Sequence, residues 1–229
     1  LNLVGDFGGG AMYLLSGILA ALVERSTSGQ GQVIDAAMTD GTASLLSPFF
    51  GLIDMDMWTT DRYSNRLDGA AYYYGSYECK DGKYISVGSL EPQFYALLLE
   101  KCKITDESFK EQLDQDAWPK KRAKMESIFK AKTRDEWCEI MEGTDICFAP
   151  VLDYVEAQSH PHNKDRNSYV EVGGVVQPGP APKFSRTPSQ VQCQPPLIGE
   201  NTKEGLRSWG FGEDEVETLL AKGAVGWKG

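Results

Sequence analysis

The chain has 229 residues, a formal net charge of −10 and a sequence pI near 4.8. Its hydrophobic content of 41% is enough to bury a core in one large domain or two small ones. The acidic balance excludes nucleic acid and an anionic membrane as the main partner, because both bind basic surfaces.

The cysteines and histidines do not form a disulfide or metal pattern. The 5 cysteines are an odd number at wide spacings without a Cys-x-x-Cys pair, so we expect reduced, structural thiols. His160 and His162 have no cysteine close to them in sequence, and we expect no metal site. The cysteines are Cys79, Cys102, Cys138, Cys147 and Cys193.

Asp6 is the first candidate functional residue, because it stands between an apolar stretch and a run of glycines. The pattern predicts a turn at Asp6 and a helix that begins at about Gly10. The free N–H groups and the positive dipole end of that helix would point to the same side as Asp6, and they would stabilise an anion that forms in a ligand bound there. The spacing alone leaves a second interpretation open, in which Asp6 only caps the helix.

Two familiar phosphate-binding loops are excluded by single residues close to these glycines. A dinucleotide-binding loop requires glycine where Tyr13 stands, and a Walker loop requires lysine where Ala11 stands. The glycine run therefore does not predict a nucleotide site. It predicts instead a backbone that a substrate can approach closely.

The first 57 residues predict an α/β layer. A run that is apolar nearly all round predicts a covered helix from Gly10 to Arg25. Its apolar part, Ala11 to Val23, is too short to span a bilayer, so we expect no membrane span. Gln32 to Met38 indicates a short buried strand, and a second apolar helix is predicted from Thr39 to about Met57. Helix, strand and helix with short loops are typical of α/β layers.

A second, mixed α+β domain is predicted to follow a crossing segment at residues 58–76, where periodicity disappears. Two β-rich runs flank Asp81-Gly82, which is a strong hairpin signal. Thr133 and Glu136 have the spacing of a capping box. The other elements predicted here are helices at 93–103, 118–132, 134–142 and 154–158, and strands at 147–152 and 169–176.

A proline-rich stretch at residues 177–196 predicts a linker that leads back to the first domain. Two more helices are predicted, at 202–209 and 213–222. The fold class expected is therefore α/β with α+β. The predicted organisation is part of a large α/β domain at 1–57, an interdomain crossing at 58–76, a small α+β domain at 77–176, and a linker with returning helices at 177–229.

Several motifs, in order along nearly the whole chain, resemble the alpha-methylacyl-CoA racemases, which belong to the family III CoA transferases. The resemblance implies part of that family's large domain plus its small domain, in a family of interlocked dimers. The motifs are Asn2–Gly10, Gly31–Met38, Leu67–Gly69 with Tyr73-Tyr74, Val87–Tyr95, Ala149–Leu152, His160–His162 and Ala181–Thr187.

The resemblance implies a reaction that interconverts the R and S epimers of 2-methyl-branched acyl-CoA thioesters, among them bile acid intermediates. An aspartate and a histidine on opposite faces of the α-carbon exchange its proton through an enolate. No cofactor is consumed, since the acyl-CoA is the substrate. The expected partners are therefore an acyl-CoA thioester and a second copy of the full-length protein.

The resemblance also assigns site residues. Asp6 matches the catalytic aspartate, and its backbone N–H and the glycine-rich helix start would donate to the thioester oxygen. Glu91 matches the glutamate that orients the histidine, although it could also serve only as the N-cap of a helix at Pro92. Substrate-binding positions are matched by Asn2, Gly8, Gly9, Gly10, Tyr73 and Tyr74.

The family's histidine lies upstream of the aspartate motif, and we assign neither His160 nor His162 to that role. The chain begins with leucine inside an apparent turn, so we expect it to be the C-terminal portion of a longer protein. That portion alone should be inactive. The family implies a peroxisome or mitochondrion, although Gly226–Gly229 does not match a Ser-Lys-Leu address.

Two alternatives to the racemase stay open. Family transferases use the matching aspartate as a nucleophile beneath a glycine-rich flap, whereas this chain has Glu91-Pro92 in the corresponding loop, which favours proton transfer. The second alternative is a non-catalytic dimerisation module.

Overall fold

The computed structural model describes residues 2–226 and contains two compact units, Leu1–Val151 and Leu152–Gly229. Within residues 2–226, the first unit holds six helices and a three-stranded sheet, and the second holds four short helices and a two-stranded sheet. The domain boundaries predicted at 57/58, 76/77 and 176/177 stay predictions.

Helix α1, Leu3–Ser28, opens the first unit and ends at Gly29, whose φ of 75° is a left-handed C-cap. Its first turns, Leu3–Met12, are wide π-type turns. The predicted turn at Asp6 is therefore wrong, since the helix already includes it. The glycines around Asp6 adopt no positive φ, which a glycine turn would use; they serve a close helix contact instead.

Two short helices follow, α2 at Met38–Leu45 and α3 at Ser47–Asp54. They correspond to the single predicted helix, which breaks at Leu46 just before Pro48 because proline has no N–H to continue the hydrogen-bond ladder. The predicted strand at Gln32–Met38 is wrong. No other strand lies beside it within residues 2–226, and Val33 is 96% exposed.

Helix α1 is long and apolar enough to cross a membrane by length and composition, in contrast to the expectation from its shorter apolar run. Only 11% of its most apolar window is buried. The apolar core helices of soluble proteins meet the same test of length and composition, so the expected absence of a membrane span stays a prediction.

The sheet of the first unit confirms the predicted hairpin. Strand β1, Tyr74–Glu78, runs antiparallel to β2, Tyr84–Gly88, with Tyr77 opposite Ile85. Gly82 takes the positive φ that the turn requires. Strand β3, Phe148–Val151, pairs with the other side of β2, as the predicted strand at 147–152 suggested.

Three helices cover this sheet and enclose the core: α4, Pro92–Lys101; α5, Trp118–Phe129; and α6, Arg134–Met141. A short 3₁₀ turn, Glu107–Lys110, lies between α4 and α5. The predicted capping box is confirmed, because Thr133 accepts from the Glu136 N–H and Glu136 accepts from the Thr133 N–H. Large side chains fill the core, chiefly Tyr72, Tyr73, Tyr77, Phe109, Phe129 and Trp137.

The segment before β1 is held by one carboxylate. Asp68 accepts backbone N–H groups of Ser64, Asn65 and Ala70, and the Asn65 side-chain amide. Burial pushes the pKa of Asp68 up, but these hydrogen bonds outweigh it and hold the pKa below its usual value. Asn65 also bonds to the Thr59 backbone in both directions. The loop therefore has a fixed shape without regular structure.

The second unit contains α7, Tyr154–Ser159; α8, Pro161–Asp165; β4, Tyr169–Val172; and β5, Val175–Pro178. The single strand predicted at 169–176 is wrong, because two glycines with positive φ turn the chain into a hairpin. After an irregular stretch come α9, Thr202–Ser208, and α10, Glu213–Ala221, which confirm the last two predicted helices.

All five cysteines are free thiols; Cys79 and Cys102 are buried, whereas Cys147 and Cys193 are exposed and do not fit the expected structural role. Burial raises the pKa of Cys102 to about 12 and the pKa values of Cys79 and Cys138 to about 11. Within residues 2–226, no group of three or more His, Cys, Asp or Glu side chains could hold a metal ion. Whether the protein works without a metal stays a prediction.

Candidate functional site

Asp6 lies at the surface on the first turns of α1, in a shallow depression of about 520 Å³. The opposite wall of the depression is the α2 face that carries Met38, Thr39 and Thr42. The carboxylate is exposed, and no described residue forms an ion pair with it. Asp6 is therefore available to a ligand that enters between the two helices.

The glycines beside Asp6 pack against α2. Gly9 and Gly10 are buried, and a Cβ at Gly10 would lie 2.9 Å from Met38 Cγ. A Cβ at Gly41 of α2 would overlap the Gly9 carbonyl oxygen. Gly8 touches Leu45. The glycines thus let the two helices meet backbone to backbone, and their contact with a substrate stays a prediction.

Glu91 stands on a loop that is fixed on both sides. The hydroxyl of the buried Ser89 donates to the Ile146 carbonyl at 2.5 Å, and the Ser89 backbone N–H donates to the Tyr73 carbonyl. Gln112 donates its side-chain N–H groups to the Ser89 and Leu90 carbonyls, both at 3.0 Å. The backbone that carries Glu91 therefore has little freedom to move.

The Glu91 side chain itself is exposed and makes no capping hydrogen bond, although the residue occupies the N-cap position of α4. The interpretation of Glu91 as a capping carboxylate therefore has no support in the structure. Cys147 lies close by: burial raises the pKa of its thiol, and the charges of Glu91 and Asp145 raise it further.

Tyr73 belongs to a cluster of buried aromatic rings. It packs edge to face against Tyr72, Tyr95 and Trp118, with ring centroids 5.2–5.9 Å apart. Tyr74 is half-buried, and its ring covers Gly88 on the neighbouring strand. Of the two tyrosines predicted to bind substrate, Tyr73 is thus enclosed and Tyr74 reaches the surface.

The hydroxyl groups of the cluster differ in their partners. Tyr72 donates to Tyr95, and Tyr95 donates to the Phe109 carbonyl at 2.7 Å. Burial raises the pKa of Tyr95 to about 12, and the pKa of Tyr72 rises above its usual value from burial and from its donation to Tyr95. The Tyr73 hydroxyl is buried and has no hydrogen-bond partner in the described chain.

Tyr95→Phe should lower the free energy of unfolding by about 1–3 kcal/mol, because it leaves two buried polar groups, of Tyr72 and Phe109, without a partner. Tyr73→Phe should leave that free energy unchanged or raise it, because it removes a hydroxyl that bonds to no described residue. Urea unfolding of both variants checks the contrast. Equal losses in the two variants would contradict it.

The structure brings together only some of the predicted site residues. Asp6 lines the depression together with Gly5, whereas Gly8, Gly9 and Gly10 are not part of its lining. Tyr73 lies under the loop that carries Glu91. Asp6 and Glu91 form no hydrogen bond with each other. Asn2 lies exposed at the start of α1. In the second unit, His160 is the N-cap residue of α8 and His162 lies within that helix.

Sequence reasoning missed Gln112 and Arg66. Gln112 reaches the Glu91 loop from 21 or more residues away, and no local pattern signals such a contact. Arg66 lies beside the Leu67–Gly69 motif, and its guanidinium acts electrostatically on the Tyr73 hydroxyl. Its place next to a matched motif is the only signal that could have identified it.

Comparison with known proteins matches residues 2–202 to the model of CoA-transferase family III. The chain is 44% identical over 221 residues to the alpha-methylacyl-CoA racemase of Mus musculus and 40% identical over 221 residues to that of Homo sapiens. Each alignment covers 96% of this chain and 58% of the racemase. The chain therefore spans less than two thirds of the length of these relatives.

A solved structure supports the fold. The chain resembles a CaiB/BaiF family protein from Brucella suis with a TM-score of 0.63, at 18% identity, over 88% of this chain and 54% of the other. At that identity the likeness concerns the fold alone. Together with the family match, it confirms the predicted fold class: the chain belongs to CoA-transferase family III.

Proposed function

We propose that the full-length protein is an alpha-methylacyl-CoA racemase. The observation that carries this proposal is its 44% and 40% identity to two such racemases over 96% of the chain. A CaiB/baiF CoA-transferase family protein of Caenorhabditis elegans is 34% identical over 184 residues, and a bile acid CoA-transferase from Clostridium scindens is 28% identical over 223 residues. The racemases thus resemble this chain more closely than the transferases do.

In the proposed reaction, Asp6 exchanges a proton with one face of the α-carbon of a 2-methylacyl-CoA. A histidine other than His160 and His162 serves the opposite face, and Glu91 orients it. The thioester oxygen gains charge as the proton leaves, so backbone N–H groups near Asp6 would stabilise it. No cofactor takes part in these steps.

Two features of the site support this assignment. The Asp6 carboxylate is exposed in an open depression, as a group that meets a substrate must be. Glu91 lies on a backbone that Ser89 and Gln112 hold in place, and Pro92 begins a helix directly after it. A loop fixed in this way suits a residue that orients a base, and it differs from the mobile glycine flap of a transferase.

Deuterium wash-in at the α-carbon of a 2-methylacyl-CoA in heavy water tests the proposal. We expect exchange together with epimerisation by the full-length protein, and none by the 229-residue chain alone, because the second base is a histidine outside it. Mass spectrometry and chiral separation of the recovered acid measure both quantities. Full-length protein that gives neither exchange nor epimerisation would refute the racemase.

The second candidate is a family III CoA transferase, which the transferase relatives and the accessible Asp6 carboxylate favour. Asp6 would then attack the thioester carbonyl, the C–S bond would break with release of the CoA thiolate, and Asp6 would carry the acyl group as a mixed anhydride. Hydroxylamine would trap that adduct as a hydroxamate on Asp6, whereas a racemase gives none. For the full-length protein we further propose a homodimer in a peroxisome or mitochondrion.

A further inference from the structure

A small cavity beside the Glu91 loop has no role in the steps above. It measures about 230 Å³, and because one water molecule takes about 30 Å³ in the liquid, it holds a small organic group and not a CoA moiety. Most of its wall is apolar, and three of its residues carry hydrogen-bond donors: Trp58, Arg66 and Tyr73. The apolar wall comes mainly from Leu52, Leu67, Leu90 and the ring of Trp58.

Tyr73 supplies the first donor. Its side chain is fully buried, and its hydroxyl has no hydrogen-bond partner among the described residues. Phenylalanine would make the same ring contacts with Tyr72, Tyr95 and Trp118, so packing does not explain the hydroxyl. A buried hydroxyl without a hydrogen-bond partner carries an uncompensated desolvation cost. A ligand oxygen in the cavity would remove that cost.

Arg66 supplies the second donor and lies near the first. Burial raises the pKa of Tyr73, and the positive charge of Arg66 partly offsets this, so the guanidinium acts electrostatically on the hydroxyl. Arg66 forms no ion pair within residues 2–226. Its backbone is fixed, since its neighbour Asn65 and nearby Ala70 both donate to Asp68. Arg66 and Tyr73 thus line one cavity whose wall is mostly apolar.

We propose that this cavity binds an oxygen-bearing apolar group of the acyl chain, with Tyr73 and Arg66 donating to its oxygen. The link to the acyl chain rests on the proposed function. Leu90 of the cavity wall directly precedes Glu91, so the cavity adjoins a residue of the proposed site. The oxygen belongs to a hydroxyl or to a carboxylate on the chain. The protein would thereby prefer oxygenated acyl chains over plain hydrocarbon chains of equal size.

Direct binding tests this selectivity without turnover. The probes are cyclohexanecarboxylate, cyclohexylmethanol and methylcyclohexane, which share one ring and differ in oxygen content. Their dissociation constants with the 229-residue chain are measured by ligand-observed NMR, together with Tyr73→Phe, Arg66→Met and two matched controls. The controls are Tyr84→Phe on β2 and Arg62→Met, which border other cavities.

Both oxygenated probes should bind the unaltered chain more tightly than methylcyclohexane does. Tyr73→Phe should weaken them roughly tenfold and leave methylcyclohexane unchanged, since one hydrogen bond of about 1.4 kcal/mol is worth that factor. Arg66→Met should weaken only the carboxylate probe. The natural oxygen is a carboxylate if cyclohexanecarboxylate binds the unaltered chain more tightly than cyclohexylmethanol does, and a hydroxyl if cyclohexylmethanol binds more tightly. Both control variants should bind as the unaltered chain does.

Equal affinity for all three probes, or oxygenated probes that bind Tyr73→Phe as tightly as the unaltered chain, would overturn the inference. Urea unfolding of Tyr73→Phe shows whether the variant is folded, and the Arg66→Met comparison gives an independent result if it is not. The outcome is separate from the proposed function. Selective binding with no α-proton exchange refutes only the racemase, and exchange with no selectivity refutes only the cavity.

Discussion

Replacing Asp6 with asparagine in the full-length protein should lower the rate of α-proton exchange roughly 10²–10⁴-fold, the usual contribution of a general base. Asparagine has nearly the same shape but does not accept a proton from carbon. Asp6 lies exposed on wide helical turns that do not depend on its carboxylate. The loss should therefore appear in kcat, with KM for the acyl-CoA nearly unchanged.

Asp54→Asn is the matched control, because it makes the same change at the C-terminal end of α3, outside the depression of Asp6. It should exchange the α-proton as fast as the unaltered protein. If Asp6→Asn retains the full exchange rate, Asp6 is not the base and the racemase assignment fails at its central residue. Hydroxamate formation by the unaltered protein would point instead to the transferase.

Replacing Phe129 with alanine should lower the free energy of unfolding of the first unit by about 3–5 kcal/mol. Phe129 is fully buried at the end of α5. Its ring lies 4.9 Å from the ring of Tyr77 and 5.1 Å from that of Trp137, and the Trp137 indole N–H donates to its carbonyl. Truncation would thus leave a cavity where α5 packs against β1 and α6.

The measurement is urea unfolding of the chain, followed by tryptophan fluorescence. Phe50→Ala on α3 is the matched control, since Phe50 is 64% exposed and its truncation should change the free energy of unfolding by less than about 0.5 kcal/mol. A loss for Phe129→Ala no larger than that of the control would show that the core does not depend on this ring.

Local signals predicted the fold of residues 74–151 well. The hairpin at Asp81-Gly82, the capping box of α6 and the helix start at Pro92 each depend on a few adjacent residues, and each is confirmed. The prediction of a strand at 32–38 was wrong because a strand needs a partner strand to hydrogen-bond with, and the residues of that segment do not show whether one lies beside it. The turn at Asp6 failed because glycines serve turns and close helix contacts alike.

The candidate site was likewise predictable only where its residues belong to local sequence motifs. Asp6 and Glu91 belong to contiguous motifs, so the sequence alone identified them. Gln112 holds the Glu91 loop from a distant part of the chain, and Arg66 acts electrostatically on Tyr73 from the loop that Asp68 holds in shape. That the Tyr73 hydroxyl has no partner is a property of the packed core, which no sequence pattern reports.

The contact of Gly9 with Gly41 has a consequence for how the depression of Asp6 can vary. At most helix crossings, side chains lie between the two backbones and can adapt to a mutation by changing rotamer. Here the two backbones touch, and Gly41 lies against the Gly9 carbonyl with no side chain between them. A single added methyl group would push α2 away from α1 and widen the depression. The width of the depression therefore depends on glycine at both positions.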